Sequence, residues 1–108
     1  MKLLEKVKER VHQDYKLLIE EELKKDKQNI INGAYRIAHY NEIDDFFDNL
    51  YDEDETFDKE EYQKILNYKG NFVDKVWNDW LNYNHSEYYN FFAYEGLIDI
   101  ISNTIIHL

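Results

Sequence analysis

No proline interrupts the 108 residues of this chain, and its apolar residues return every third or fourth position from near one end to the other. That spacing is the signature of helices with one buried stripe, and no stretch alternates with the period of two that a half-buried strand requires. Leu4, Val7, Val11, Tyr15, Leu18 and either Ile19 or Leu23 lie on one stripe of a helix from about Lys2 to Lys25. Ile30, Ile31, Ala34, Tyr35, Ile37 and Ala38 predict a second helix to about His39, with Asp26 or Asn29 as its cap and Gly33 as its weak point. Asn41 is placed to cap a third, in which Ile43, Phe46, Phe47, Leu50 and Tyr51 follow the helical repeat.

An acidic turn, Asp52 to Thr56, leads into Asp58-Lys59-Glu60-Glu61, a capping-box pattern that opens a fourth helix carrying Tyr62, Ile65 and Leu66. Lys69-Gly70 is expected to close it. Asn71 caps a fifth with Phe72, Val73, Val76, Trp77, Trp80 and Leu81 inward, and Ser86 a last one in which Tyr88, Phe91, Phe92, Glu95, Ile98, Ile101 and Ile105 are in register. The expected fold is all-α: a compact helical bundle of five to six helices framed by long N- and C-terminal helices, with residues 1–108 as a single domain. The β-branched tail, Ile98 to Ile106, is the one segment with the composition of a strand.

The core is expected to be aromatic, since the chain holds ten Tyr, six Phe and two Trp. Cysteine is absent, which removes disulfides, thiolate metal sites and thiol nucleophiles and fits a cytoplasmic location. The first residues alternate charged with apolar side chains, unlike a signal peptide, and the late uncharged run, Ile100 to Leu108, is far shorter than the ~20 apolar residues a membrane span needs.

The search for catalytic chemistry is negative. Ser86 and Ser102, the two serines, lie in no nucleophile elbow, and His12, His39, His85 and His107 are scattered. Glu9-Arg10-Val11-His12 is one Glu-x-x-His element where a di-metal bundle needs two. Asp52, Asp54 and Asp58 match ligand positions of a calcium loop, but Phe57 stands where that loop needs glycine and Gln63 where it needs a bidentate glutamate. Gly33, Gly70 and Gly96 form no phosphate-cradling motif. The expectation is a protein that is not an enzyme and uses no metal and no cofactor.

Charge is the remaining signal. Between Glu42 and Glu61 eleven carboxylates stand against one lysine, Lys59, so this stretch carries the whole net charge of −10 and the rest of the chain is neutral. Concentrated like charge opposes compaction, and its cause is expected outside the fold, in a positively charged partner. Asp44, Asp48 and Asp52 stack at one-turn intervals on the predicted third helix, where each like-charge pair costs about 0.2 to 0.5 kcal/mol. If the stretch is helical its charges fall every ~3 Å, close to the ~3.4 Å per phosphate of a DNA strand. The competing reading is a solvated, solubilising face. Direct nucleic-acid binding is disfavoured by the acidic balance.

Asp14-Tyr15-Lys16, Asn32-Gly33-Ala34-Tyr35, Ile43-Asp44-Asp45-Phe46-Phe47 and Lys75-Val76-Trp77-Asn78-Asp79-Trp80-Leu81 together resemble a family of small, acidic, helical bacterial proteins of unknown function from phages and conjugative elements. Those relatives often carry a proline-containing turn before the Trp helix, where this chain has Lys69-Gly70-Asn71. The resemblance implies a mobile-element protein that acts on a host machine and supplies no activity of its own.

The functional expectation is a non-enzymatic inhibitor of the anti-CRISPR or anti-restriction type that occupies a basic, nucleic-acid-binding groove of a host protein. Its contact residues are Asp44, Asp45, Asp48, Tyr51, Asp52, Glu53, Asp54 and Glu55. The alternatives are an immunity or antitoxin protein masking a basic toxin active site, and a homo-oligomeric module using the aromatic second half. Monomer and homodimer are both open.

Overall fold

The structure, a computed structural model, describes the backbone of residues 2–24, 27–51, 56–83 and 94–108, and the side chains of these except 27–35, 83, 94 and 95. Among the described residues five helices follow one another: α1 (Leu3–Leu23), α2 (Lys27–Asp48), α3 (Lys59–Asn67), α4 (Phe72–Tyr83) and α5 (Tyr94–Ile106). They make an all-α bundle in which α1 packs against α2, α3 and α4, while α5 covers α2, α3 and α4 from the other side.

Where two helices were expected between Asn29 and Tyr51, α2 runs unbroken from Lys27 to Asp48. His39 and Tyr40 explain the difference. Standing at the expected break between the two helices, they are buried, and with Ile43, Phe46, Phe47 and Leu50 they continue one stripe at spacings of three and four. Asn41 caps nothing, and its amide donates outward to Asp45 Oδ2 at 3.2 Å, one turn along the same helix.

The stripe of α1 is also shifted from its expected line. Buried positions are Leu4, Val7, Val11, Asp14, Leu18 and Glu22, so the site assigned to Tyr15 belongs to Asp14, and Tyr15 packs at the margin. On α4 the aromatic face is inward as expected, except that Leu81 is exposed and Asp79 is buried, held by Lys75 Nζ at 3.0 Å. The isoleucine-rich tail is helical, with Leu97, Ile100, Ile101, Thr104 and Ile105 inward. The expected start of that last helix, Ser86, and the side chains of Tyr88, Phe91, Phe92 and Glu95 lie outside the described residues.

Phe47 stands in the middle of the aromatic core. Its ring lies 5.4 Å from Phe46, 6.0 Å from Phe57 in a stacked pair and 5.9 Å from Phe72 edge-on. A second aromatic group joins α2 to α4: the fully buried His39 lies 4.7 Å from Trp77 and 5.1 Å from Trp80, whose indoles stack at 5.3 Å.

Helix ends follow local chemistry. Asp58 Oδ1 accepts the Glu61 N–H at 2.8 Å while Glu61 Oε1 accepts the Asp58 N–H at 3.1 Å, the reciprocal box legible in the sequence. Asn71 Oδ1 accepts the Asp74 N–H at 3.0 Å and so caps α4. The far end of α3 departs from expectation: it stops at Asn67, three residues before Gly70, and among the described residues no glycine has positive φ. Gly70 serves a close approach instead, since a Cβ there would stand 2.8 Å from the Tyr68 hydroxyl oxygen.

Candidate protein-binding face

α1 and α2 run antiparallel, and their polar contacts keep step. Lys8 Nζ donates to the Asp48 carbonyl at 3.0 Å, His12 Nδ1 faces Asp44 Oδ2 at 3.1 Å, and the Tyr15 hydroxyl donates to Asn41 Oδ1 at 3.3 Å. One helical turn forward on α1 is thus met by one turn back on α2. Further along the pair, Arg36 donates to the buried Glu22 carboxylate at 3.1 Å.

This seam divides the acidic residues. Asp44, turned towards α1, is only 13 % exposed at its side chain and has both carboxylate oxygens within 3.3 Å of His12 Nδ1. Asp45 and Asp48 point to solvent. α2 ends at Asp48, where Asn49 N–H returns to the Asp45 carbonyl and Leu50 N–H to the Phe47 carbonyl. The expected stack of Asp44, Asp48 and Asp52 on one helix therefore stops after its second member, and a DNA-like row of charges along a continuous helix does not extend past Asp48. The Lys8 ammonium at this end complements the negative pole of the helix.

Beyond α2, Leu50 is buried, Tyr51 is 72 % exposed, and Phe57 is buried again. Asp52, Glu53, Asp54 and Glu55 lie outside the described residues, but what precedes and follows them is anchored in the core. Asp58 and Glu61, two further carboxylates of the acidic stretch, are engaged in the capping box. Of the residues expected to meet a partner, the structure brings Asp45, Asp48 and Tyr51 to the surface around the end of α2 and turns Asp44 into the seam.

Among the described residues no group of three or more His, Cys, Asp or Glu is placed to hold a metal ion. A shallow cleft over the end of α3, lined by Lys64, Asn67, Tyr68, Lys69 and Leu108, contains no side-chain carboxylate and no imidazole. The Tyr15 hydroxyl has its pKa raised by burial and then by the charges of Asp44 and Asp45, which makes it a poorer acid beside this face.

Sequence reasoning missed two highly connected polar side chains among the described residues, Arg10 and Asp14. Arg10 donates from Nε to Asp14 Oδ2 at 2.8 Å and from its two terminal nitrogens to the carbonyls of Ile65, Leu66, Tyr68 and Gly70 at 2.6, 3.4, 2.8 and 2.5 Å. Asp14 accepts the Phe72 N–H at 2.8 Å, and its carbonyl accepts from the Asn71 amide at 2.9 Å. The available signal was position: Asp14 occupies the buried repeat between Val11 and Leu18, with an arginine one turn before it.

Comparison of the chain with protein-family models, with curated proteins and with solved structures finds no match. Among the described residues no helix is long and apolar enough to cross a membrane.

Proposed function

We propose that this protein is a non-enzymatic binding protein that covers a basic, nucleic-acid-binding surface of another protein, using the end of α2 and the acidic segment that follows it. One observation carries the reading: Tyr51, 72 % exposed, follows the exposed carboxylates Asp45 and Asp48 in the chain and immediately precedes Asp52-Glu53-Asp54-Glu55, between the core anchors Leu50 and Phe57. An exposed tyrosine brings a large, stiff contact area at small entropic cost, and surrounding carboxylates steer a cationic surface towards it.

With the sequence resemblance to acidic proteins of phages and conjugative elements, the reading extends to an inhibitor of the anti-CRISPR or anti-restriction type. An immunity protein covering the basic active site of a nuclease toxin would use the same face, and the identity of the captured partner separates the two.

The test is capture from bacterial lysate on the immobilised chain at low and high salt, with the captured protein then purified and offered duplex DNA as competitor. Capture that weakens with salt, exclusion of DNA, and loss of binding in the combined Asp45→Asn, Asp48→Asn and Tyr51→Ala variant are expected. Undiminished binding by that variant, still folded, overturns the proposal.

A further inference from the structure

α3 is nine residues long, the shortest of the five helices and below the ~12–15 residues at which an isolated helix becomes stable in water. It rests on α1 and α5 through Tyr62 and Ile65. Its first turn is closed by its own capping box, and its last turn only in part, by the Tyr68 N–H that returns to the Lys64 and Ile65 carbonyls at 3.1 and 3.3 Å. Tyr68, at the C-cap, has extended backbone (φ −66°, ψ 130°), and no left-handed residue follows to recover the carbonyls beyond these.

The donors for those carbonyls, and a second one for Ile65, come from another helix. The Arg10 guanidinium takes Ile65 and Leu66 from the last turn of α3 and Tyr68 and Gly70 from the link beyond it. Four oxygens spread over six residues match a flat fork of five N–H donors, which an ammonium cannot reproduce. The start of α4 is tied down separately. Asp14 holds the Phe72 N–H with Oδ2, the oxygen that also takes Arg10 Nε, and the Asn71 side-chain amide with its carbonyl, so on the far side of Gly70 the chain is fixed to α1 by Asp14 and not by a direct Arg10 contact.

From this arrangement we infer that residues 59–70 form a conditional unit, a helix that opens and closes as one piece on the rest of the bundle and is latched from α1 by Arg10. The hinge lies between Gly70 and Asn71, where the Arg10 contacts end and the Asp14 contacts begin. Opening releases Tyr62 and Ile65 from the core and loosens the downstream end of the acidic segment while α1, α2, α4 and α5 stay assembled. The inference is independent of the binding role proposed above.

Native-state hydrogen exchange on the intact chain, followed residue by residue with rising urea, tests it. In the wild type, the amides of residues 62–67 are expected to exchange through an opening that precedes the one exposing the centres of α1 and α2. Arg10→Lys, which keeps the charge but not the fork, is expected to speed exchange at residues 62–67 by about tenfold or more and that of α1 and α2 by less than about twofold. Arg10→Gln is expected to act in the same direction. Equal acceleration across all helices in Arg10→Lys, no acceleration, or a wild-type α3 that opens only with the whole molecule would each overturn the inference. Should Arg10→Gln not fold, the wild-type pattern and Arg10→Lys decide it.

Discussion

Asp14 accepts the backbone N–H of Phe72 at 2.8 Å, which sets a carboxylate of α1 against the first turn of α4. One turn earlier on α1, Arg10 covers the last carbonyls of α3. Each charge meets the helix end whose dipole it complements, anion at the positive pole and cation at the negative one, and the two side chains are joined to each other at 2.8 Å. A single turn of α1 thereby organises the α3–α4 corner. The first prediction follows from how little of this pair is exposed. Asp14→Ala removes the acceptor of the Phe72 amide and the carboxylate partner of a largely buried guanidinium, and is expected to cost about 3 kcal/mol, read as a lower urea midpoint. Asp14→Asn keeps an acceptor and is expected to cost less.

The reciprocal box at the start of α3 gives a smaller, local effect. Asp58→Ala removes the acceptor of the Glu61 N–H and is expected to destabilise the protein by about 1 kcal/mol in the same urea measurement. Asp58→Asn, which still caps, is expected to retain most of the stability.

Phe47 touches three other phenyl rings and is fully buried. Phe47→Ala is expected to cost about 3 to 5 kcal/mol, with loss of aromatic near-UV circular dichroism well before the helical signal falls.

Alkaline pH should weaken the fold through two tyrosines. Tyr40 is raised far above its ordinary value by burial, with Asp74 the largest charge acting on it, and Tyr15 is raised by burial and by Asp44 and Asp45. Below about pH 10 both hydroxyls are protonated whether the chain is folded or not, and their stabilising contribution is whole. As pH climbs above that, only the unfolded chain releases these protons, so stability declines towards the folded values. Melting temperature recorded from pH 8 to 11 is expected to fall at the top of the range, and Tyr40→Phe is expected to fall less steeply.

Neutralising the open carboxylates should separate binding from folding. Asp45→Asn together with Asp48→Asn is expected to change stability by no more than about 0.5 kcal/mol, because both side chains point to solvent. Their effect is expected in the partner's association rate and in its dependence on salt, measured by surface plasmon resonance at several ionic strengths.

Much of the architecture was legible because it is written in short-range chemistry. The Asp58–Glu61 box and the Asn71 cap depend on residues three apart, and both stand where the pattern put them. The stripe of α4 was legible for the same reason. What escaped depends on contacts between distant segments. Arg10 reaches residues more than fifty positions away, and nothing near it in the chain announces that. His39 and Tyr40 have polar atoms and lie at the expected break between two helices, although stacked indoles and a packed core make them part of the interior. The acidic stretch was legible as charge, but its division into capping, seam and open carboxylates was not, because His12 and Lys8 meet it from another helix.

The Arg10 fork also bears on the order in which the molecule is assembled. α1 leaves the ribosome well before α3, so the groups that complete the shortest helix are already in place when its residues emerge, and the later segment can dock onto a template instead of having to nucleate alone.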